Sequence, residues 1–230
     1  MEVELPRTTG GVLRRAITIL TVVLAVTAAV LTLATAGPAS ATGRVPDPLA
    51  DAAAQSLVDL RAARIEQVAG TLAGGSPVPA RADATYRADL GVVADLVASR
   101  TSTSPEAFVQ AWTVADPTRM TVLLSALAEV GVPYRHNTSS PGTGFDCSGL
   151  TMYAWAQGGV ALPHQDRSQM GMAVSRTWDV AQPADLVQYP GHVMLYLGAG
   201  HAIVHAPNSG TVVRVQELTG RSVRLASPVH

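Results

Sequence analysis

The chain has 230 residues, sixteen arginines, no lysine and a formal net charge of −1, which excludes a strongly basic nucleic-acid binder. Its length allows one or two compact domains with a sizeable core. One cysteine, Cys147, excludes an intramolecular disulfide.

The N-terminus reads as an export signal. Arg7, Arg14 and Arg15 give it a positive start, and residues 16–36 follow as an uncharged, largely apolar run. Gly37-Pro38 breaks that run, and Ala39-Ser40-Ala41 offers a small-residue cleavage site, so residues 1–41 are read as a signal peptide cut after Ala41. The run is also long enough to cross a bilayer, so an uncleaved anchor is the competing reading. Arg14-Arg15 also permits a twin-arginine reading, which nothing around the pair strengthens.

Residues 42–48 look extended. Residues 49–72 and 84–99 carry apolar side chains near helical spacing, with a Gly/Pro linker at 73–83, so residues 42–104 are expected to form a helical region. Ser104-Pro105-Glu106 and Asp116-Pro117 each start a helix. The second of these helices is strongly apolar on one face and is expected to stop at Gly131. Residues 105–230 are assigned as the main domain. In it, helices come first and an antiparallel meander follows, with strands over 185–188, 192–197, 201–205, 211–215 and 222–226, which is an α+β pattern.

Cys147 sits between a turn-rich segment and a predicted helix over 147–157, with Asp146 at the N-cap and Gly158-Gly159 at the end. A lone cysteine is in most proteins a small buried apolar residue. Here the first helical turn supplies free backbone N–H groups and the positive end of the helix dipole, which favour a thiolate. His192 opens one strand and His205 closes the next, so the two can meet across a hairpin. A cysteine on a helix N-terminus, a histidine on a strand and a polar residue on the next strand form a nucleophile–base–orienter set. His136, His164, His201 and His230 are read as surface or structural residues. His201 and His205 share a four-residue spacing, but the strand pattern around them argues against zinc, and neither metal nor cofactor is expected.

Phe145-Asp146-Cys147-Ser148-Gly149-Leu150, Leu162-Pro163, Asp185-Leu186-Val187, His192-Val193, Tyr196-Leu197-Gly198 and His205-Ala206-Pro207 occur in that order. Together with Gly131-Val132-Pro133-Tyr134 they resemble the NlpC-type family of secreted peptidoglycan endopeptidases over residues 117–216. The resemblance implies a papain-like α+β fold and hydrolysis of peptide bonds in cell-wall stem peptides, commonly between D-glutamate and a diamino acid. It implies Cys147 as nucleophile, His192 as base and then acid, and His205 as the residue orienting His192. It further implies that Tyr134 lines the site and that Asp146 and Ser148 contact substrate. The expected partner is the stem peptide, with no nucleic acid, no membrane after signal cleavage, and a monomeric protein in the wall or outside the cell. Three features depart from the family, one of them a short loop before His192. Arg135-His136-Asn137 stands where an aromatic residue and two glycines are usual. One extra residue between His192 and His205 calls for a bulge or a longer turn, which leaves Asn208 as a second candidate orienter. Two other classes compete: a catalytically silent wall-binding module, and a related thiol amidase or acyltransferase.

Overall fold

The structure is a computed structural model, and it describes residues 43–72, 74 and 83–229. The signal segment, its cleavage site, most of the 73–83 linker and His230 lie outside the described residues. Among the described residues, no helix is long and apolar enough to cross a membrane.

Among the described residues four helices come first: α1 (Pro48–Leu72), α2 (Ala84–Ala98), α3 (Pro105–Val114) and α4 (Pro117–Leu127). Asp83 and Asp116 cap α2 and α4 by accepting backbone N–H groups, at 2.9 Å from Tyr86 and 2.7 Å from Thr118. α4 ends at Leu127, short of Gly131, and a run of tight turns covers the rest. Gly131 has a φ of +87°, and a Cβ there would fall 2.0 Å from the carbonyl oxygen of Val45. That close approach lets the extended residues 44–47 dock on the turn, with Val45 N–H donating to Gly131 O at 2.9 Å.

A short hairpin of β1 (Ser139–Ser140) and β2 (Gly144–Phe145) leads into α5 (Cys147–Gln157). α6 (Asp166–Met172), a short 3-10 turn and six strands follow: β3 (Val174–Arg176), β4 (Leu186–Tyr189), β5 (His192–Tyr196), β6 (Ala202–His205), β7 (Arg214–Glu217) and β8 (Arg224–Ser227). The six make one antiparallel sheet in the order β3-β8-β4-β5-β6-β7. The meander therefore holds from β4 to β7, and β8 returns to pair between β3 and β4.

Side chains alternate cleanly across the sheet, as the pleat requires. Leu186, Val193, Leu195, Val204 and Ala226 face the main core beneath α5. Val187, Met194, Tyr196, Ile203 and Leu225 face a smaller outer cluster that Trp178, Tyr189 and Leu218 cover in part. The main core is continuous with the helices, since Leu60, Leu90, Trp112 and Leu124 belong to it. Arg119 of α4 is 3 % exposed and ties the helical layer to the sheet. Its guanidinium donates to Asp185 Oδ1 at 2.8 Å, to Pro183 O at 3.0 Å and to Ser227 Oγ at 2.5 Å. α1 reaches the far end of α5, where Arg61 Nη2 donates to Gln157 Oε1 at 3.3 Å. At 1.5 Å per residue that contact lies about 15 Å along the helix from Cys147.

Candidate active site

Cys147 is the first residue of α5, and Asp146 caps it: Oδ1 accepts the Gly149 N–H at 2.7 Å and the Ser148 hydroxyl at 3.1 Å. The helix must start close to the preceding loop. A Cβ on Gly149 would fall 2.1 Å from the carbonyl oxygen of Thr138, so glycine is the one residue that fits. Tyr134 enters from the other side. Residues 131–134 pair with 211–213 through Tyr134 N–H to Thr211 O at 2.8 Å and Val213 N–H to Val132 O at 2.8 Å. This pairing uses Thr211 and Val213, which the sequence pattern placed in a strand beside His205; that strand, β7, instead begins at Arg214. Tyr134 is half-buried beside the thiol, and its phenol is pushed up by burial and then by the charges of Cys147 and Asp146.

The sulfur of Cys147 meets β5 at its start, where the Val193 backbone N–H points to it. His192, at the same strand end, places Nε2 2.8 Å from His205 Nδ1. The extra residue between the two histidines is taken up by a long turn over 197–201, with Gly198 and Gly200 at φ of +99° and +56°. Asn208 lies in the following turn, where its backbone N–H donates to Thr211 Oγ1 at 3.3 Å, and it lines a recess together with His205. A neutral His192 that donates Nε2–H to His205 keeps a free lone pair on Nδ1, the arrangement a base needs.

Burial opposes the thiolate that the helix N-terminus favours. Burial is the largest influence and pushes the Cys147 thiol up. The carboxylates of Asp146 and Asp166 push the same way and outweigh the N–H groups of Val193 and Ser148. Burial, then the charge of Arg221, holds His192 down at about 4, against a smaller opposing pull from Asp166. Burial, then His192 and Arg214, holds His205 at about 3, although the side chain of Gln216 opposes them.

Asp146 and Ser148 are buried, and their side chains are bonded to each other. Asp146 also receives His164 Nε2, at 2.9 Å from Oδ1 and 3.1 Å from Oδ2. His164 is thus a structural residue of the site itself. Burial alone would raise the Asp146 carboxyl, but the hydrogen bonds from Gly149, His164 and Ser148 hold it below its ordinary range. Two more side chains come from α6, a segment whose polar sequence gave no helix signal. Gln169 is fully buried and donates to Ser148 O at 2.9 Å and to Pro163 O at 2.8 Å, while accepting from Thr151 Oγ1 at 2.6 Å. Asp166 Oδ2 accepts from Gln188 Nε2 at 2.9 Å and from Gly191 N at 3.2 Å, beside His192. Among the described residues no three His, Cys, Asp or Glu side chains cluster to hold a metal.

The model of the NlpC/P60 family matches residues 131–225, which contain Tyr134, Cys147, His192 and His205. Residues 131–225 belong to the NlpC/P60 family. This NlpC/P60 segment also aligns with curated proteins. A probable endopeptidase of Mycobacterium tuberculosis is 38% identical over 100 residues, covering 42% of this chain and 26% of that protein. The bifunctional muramidase/DL-endopeptidase CwlT of Bacillus subtilis is 38% identical over 88 residues, covering 35% of this chain and 27% of that protein. The chain thus spans about a quarter of the length of these relatives. Among solved structures, the P60 domain of a Mycobacterium avium subspecies paratuberculosis antigen is 28% identical. That match covers 49% of this chain and 96% of the domain, with a TM-score of 0.45. The α+β fold expected from the sequence is the one observed, with the helix that bears Cys147 packed on an antiparallel sheet.

Proposed function

We propose that the protein is an exported cysteine peptidase that hydrolyses peptide bonds in peptidoglycan stem peptides, between D-glutamate and the diamino acid. The observation that carries this is the 2.8 Å contact of His192 Nε2 with His205 Nδ1, at the strand end where the Val193 N–H meets the Cys147 sulfur. The endopeptidase names of the aligned relatives support the reaction class. The apolar run and the Ala39-Ser40-Ala41 site support export.

In this reading Cys147 attacks the scissile carbonyl carbon as Nδ1 of His192 takes the thiol proton. Proton and electron pair move together from a neutral pair, so the ion pair forms on the reaction path and not before it. The carbonyl oxygen gathers negative charge near the first turn of α5, whose backbone N–H groups have no partner within the helix. His192 then returns the proton to the departing amine, leaving a thioester on Cys147. Water, deprotonated by His192, adds to the thioester, and its collapse frees the carboxylate and restores the thiol. His205 holds His192 in the tautomer that leaves Nδ1 free. Tyr134 lines the entry. Asp146 and Ser148, bonded inward, act on substrate through the shape of the helix start. Within residues 42–104, α1 braces the far end of α5 through Arg61, and residues 105–230 carry the catalysis.

Digestion of purified muropeptides, with products read by mass spectrometry, tests the reading. The protein releases a free amine within the stem, and Cys147→Ala loses about 10⁴-fold or more of that activity. A released lactoyl peptide would instead make it an amidase. Product formation unchanged in Cys147→Ala, or no cleavage by either protein, would overturn the proposal.

A further inference from the structure

Behind His205, on the face of the sheet away from α5, lies a recess of about 240 Å³ that neither Cys147 nor His192 lines. Its wall carries Arg214, Arg221, Tyr189, Gln216 and His205, and no acidic side chain. The guanidinium of Arg221 is set in place 4.5 Å over the Tyr189 ring. Arg214 Nε donates to Gln216 Oε1 at 3.1 Å, which leaves its terminal nitrogens free to bind. His205 is 4 % exposed, and its Nε2 has no partner in hydrogen-bonding geometry, although the Gln216 side chain lies close by. The tautomer that makes His192 a base puts a proton on this nitrogen. A buried N–H without an acceptor is rare and unfavourable. Two arginines and a histidine whose buried Nε2 has no partner in hydrogen-bonding geometry thus belong to one recess wall that carries no acidic side chain.

We propose that this recess binds a carboxylate that accepts the Nε2–H of His205 and pairs with Arg214 and Arg221. The occupant extends the line from Cys147 through His192 and His205 by one acceptor, and so acts through the orienting residue. It also reverses the local field. Arg214 and Arg221 hold the two imidazoles on the neutral side, and a bound carboxylate offsets them and makes His192 a stronger base. The carboxylate comes either from the stem peptide or from a free small acid. The first source rests on the peptidase reading and the second does not.

The test compares the full chain with an Arg214→Gln/Arg221→Gln double variant. Both arginines are exposed, and a thermal melt checks that the variant folds. Sodium acetate replaces sodium chloride at constant ionic strength while the histidine ring signals are followed by NMR. Acetate shifts the His205 signals saturably and raises the titration midpoint of His192 by about one unit, and the double variant abolishes both effects. Acetate that acts like chloride, or shifts that survive both substitutions, overturns the proposal. This arm reads the recess even if no muropeptide is cut. Kinetics separate the two sources. If the occupant belongs to the substrate, the double variant raises KM about tenfold for muropeptides with free carboxylates and leaves their amidated counterparts unchanged. If it is a free acid, acetate raises kcat of the unmodified protein on both substrates and has no effect on the variant.

Discussion

The two faces of the central sheet are built from the same strands and do different work. The inner face carries Val193, Leu195 and Val204, all fully buried beneath α5 in a core that runs on into the helical layer. The outer face carries a smaller cluster, and at its end lie His192, His205 and two exposed arginines. The inner face supplies most of the burial that stabilises the fold. The outer face tolerates two imidazoles that burial keeps neutral. Cys147 reaches the strand end from the inner side, so the reactive pair sits on the seam between them. Stability and chemistry should therefore respond to different substitutions.

The largest effect on stability is expected where the helical layer is tied to the sheet. Arg119→Ala leaves Asp185 buried without its partner and costs about 3–5 kcal/mol, read by chemical denaturation. Where folded, the variant keeps a normal rate per folded molecule. A loss of rate at unchanged stability would break the separation of roles. On the other face, His205→Ala lowers kcat about 10²–10³-fold with little change in KM or melting temperature, because it frees the ring of His192 without touching the core. A melting temperature that falls with kcat would make His205 a structural residue only.

The pH dependence of stability sharpens the contrast. His192 at about 4 and His205 at about 3 both lie below the ordinary histidine value of 6.5. Below 6.5 the unfolded chain therefore binds more protons than the folded one, so stability is full above about pH 6.5 and falls as pH drops toward 4. Burial sets most of this, with Arg221 adding to it and Asp166 opposing it at His192, and with His192 and Arg214 adding to it and Gln216 opposing it at His205. A His205→Phe variant should show a smaller loss of melting temperature between pH 7 and 5 than the unmodified protein. Parallel curves would place the acid sensitivity elsewhere.

Much of this arrangement is legible in the sequence because its signals are local. Asp146 and Gly158-Gly159 bound α5 by ordinary capping chemistry, and β-rich runs around Gly198 and Gly200 mark the β5–β6 hairpin that brings His192 to His205. What escapes sequence reading is settled by partners far along the chain. α6 has little apolar surface, and it folds to bury Gln169 against the backbone of Ser148 and Pro163. Thr211 and Val213 have strand propensity, but they pair with residues 131–134, which shifts β7 toward the C-terminus. The neighbours of β8 depend on β3, a three-residue strand too short to carry a periodic signal. The upward push on the Cys147 thiol could not be read from its place on a helix, because burial and two carboxylates oppose the helix end.

The claim that most needs testing is that Cys147 and His192 rest as a neutral thiol and imidazole. The direct measurement is the rate of Cys147 alkylation by iodoacetamide from pH 4 to 10. The structure predicts slow reaction through neutral pH and a rise above the ordinary thiol range, with no plateau at low pH. Fast alkylation that is already level from about pH 4 would show a resting thiolate–imidazolium pair and contradict this account.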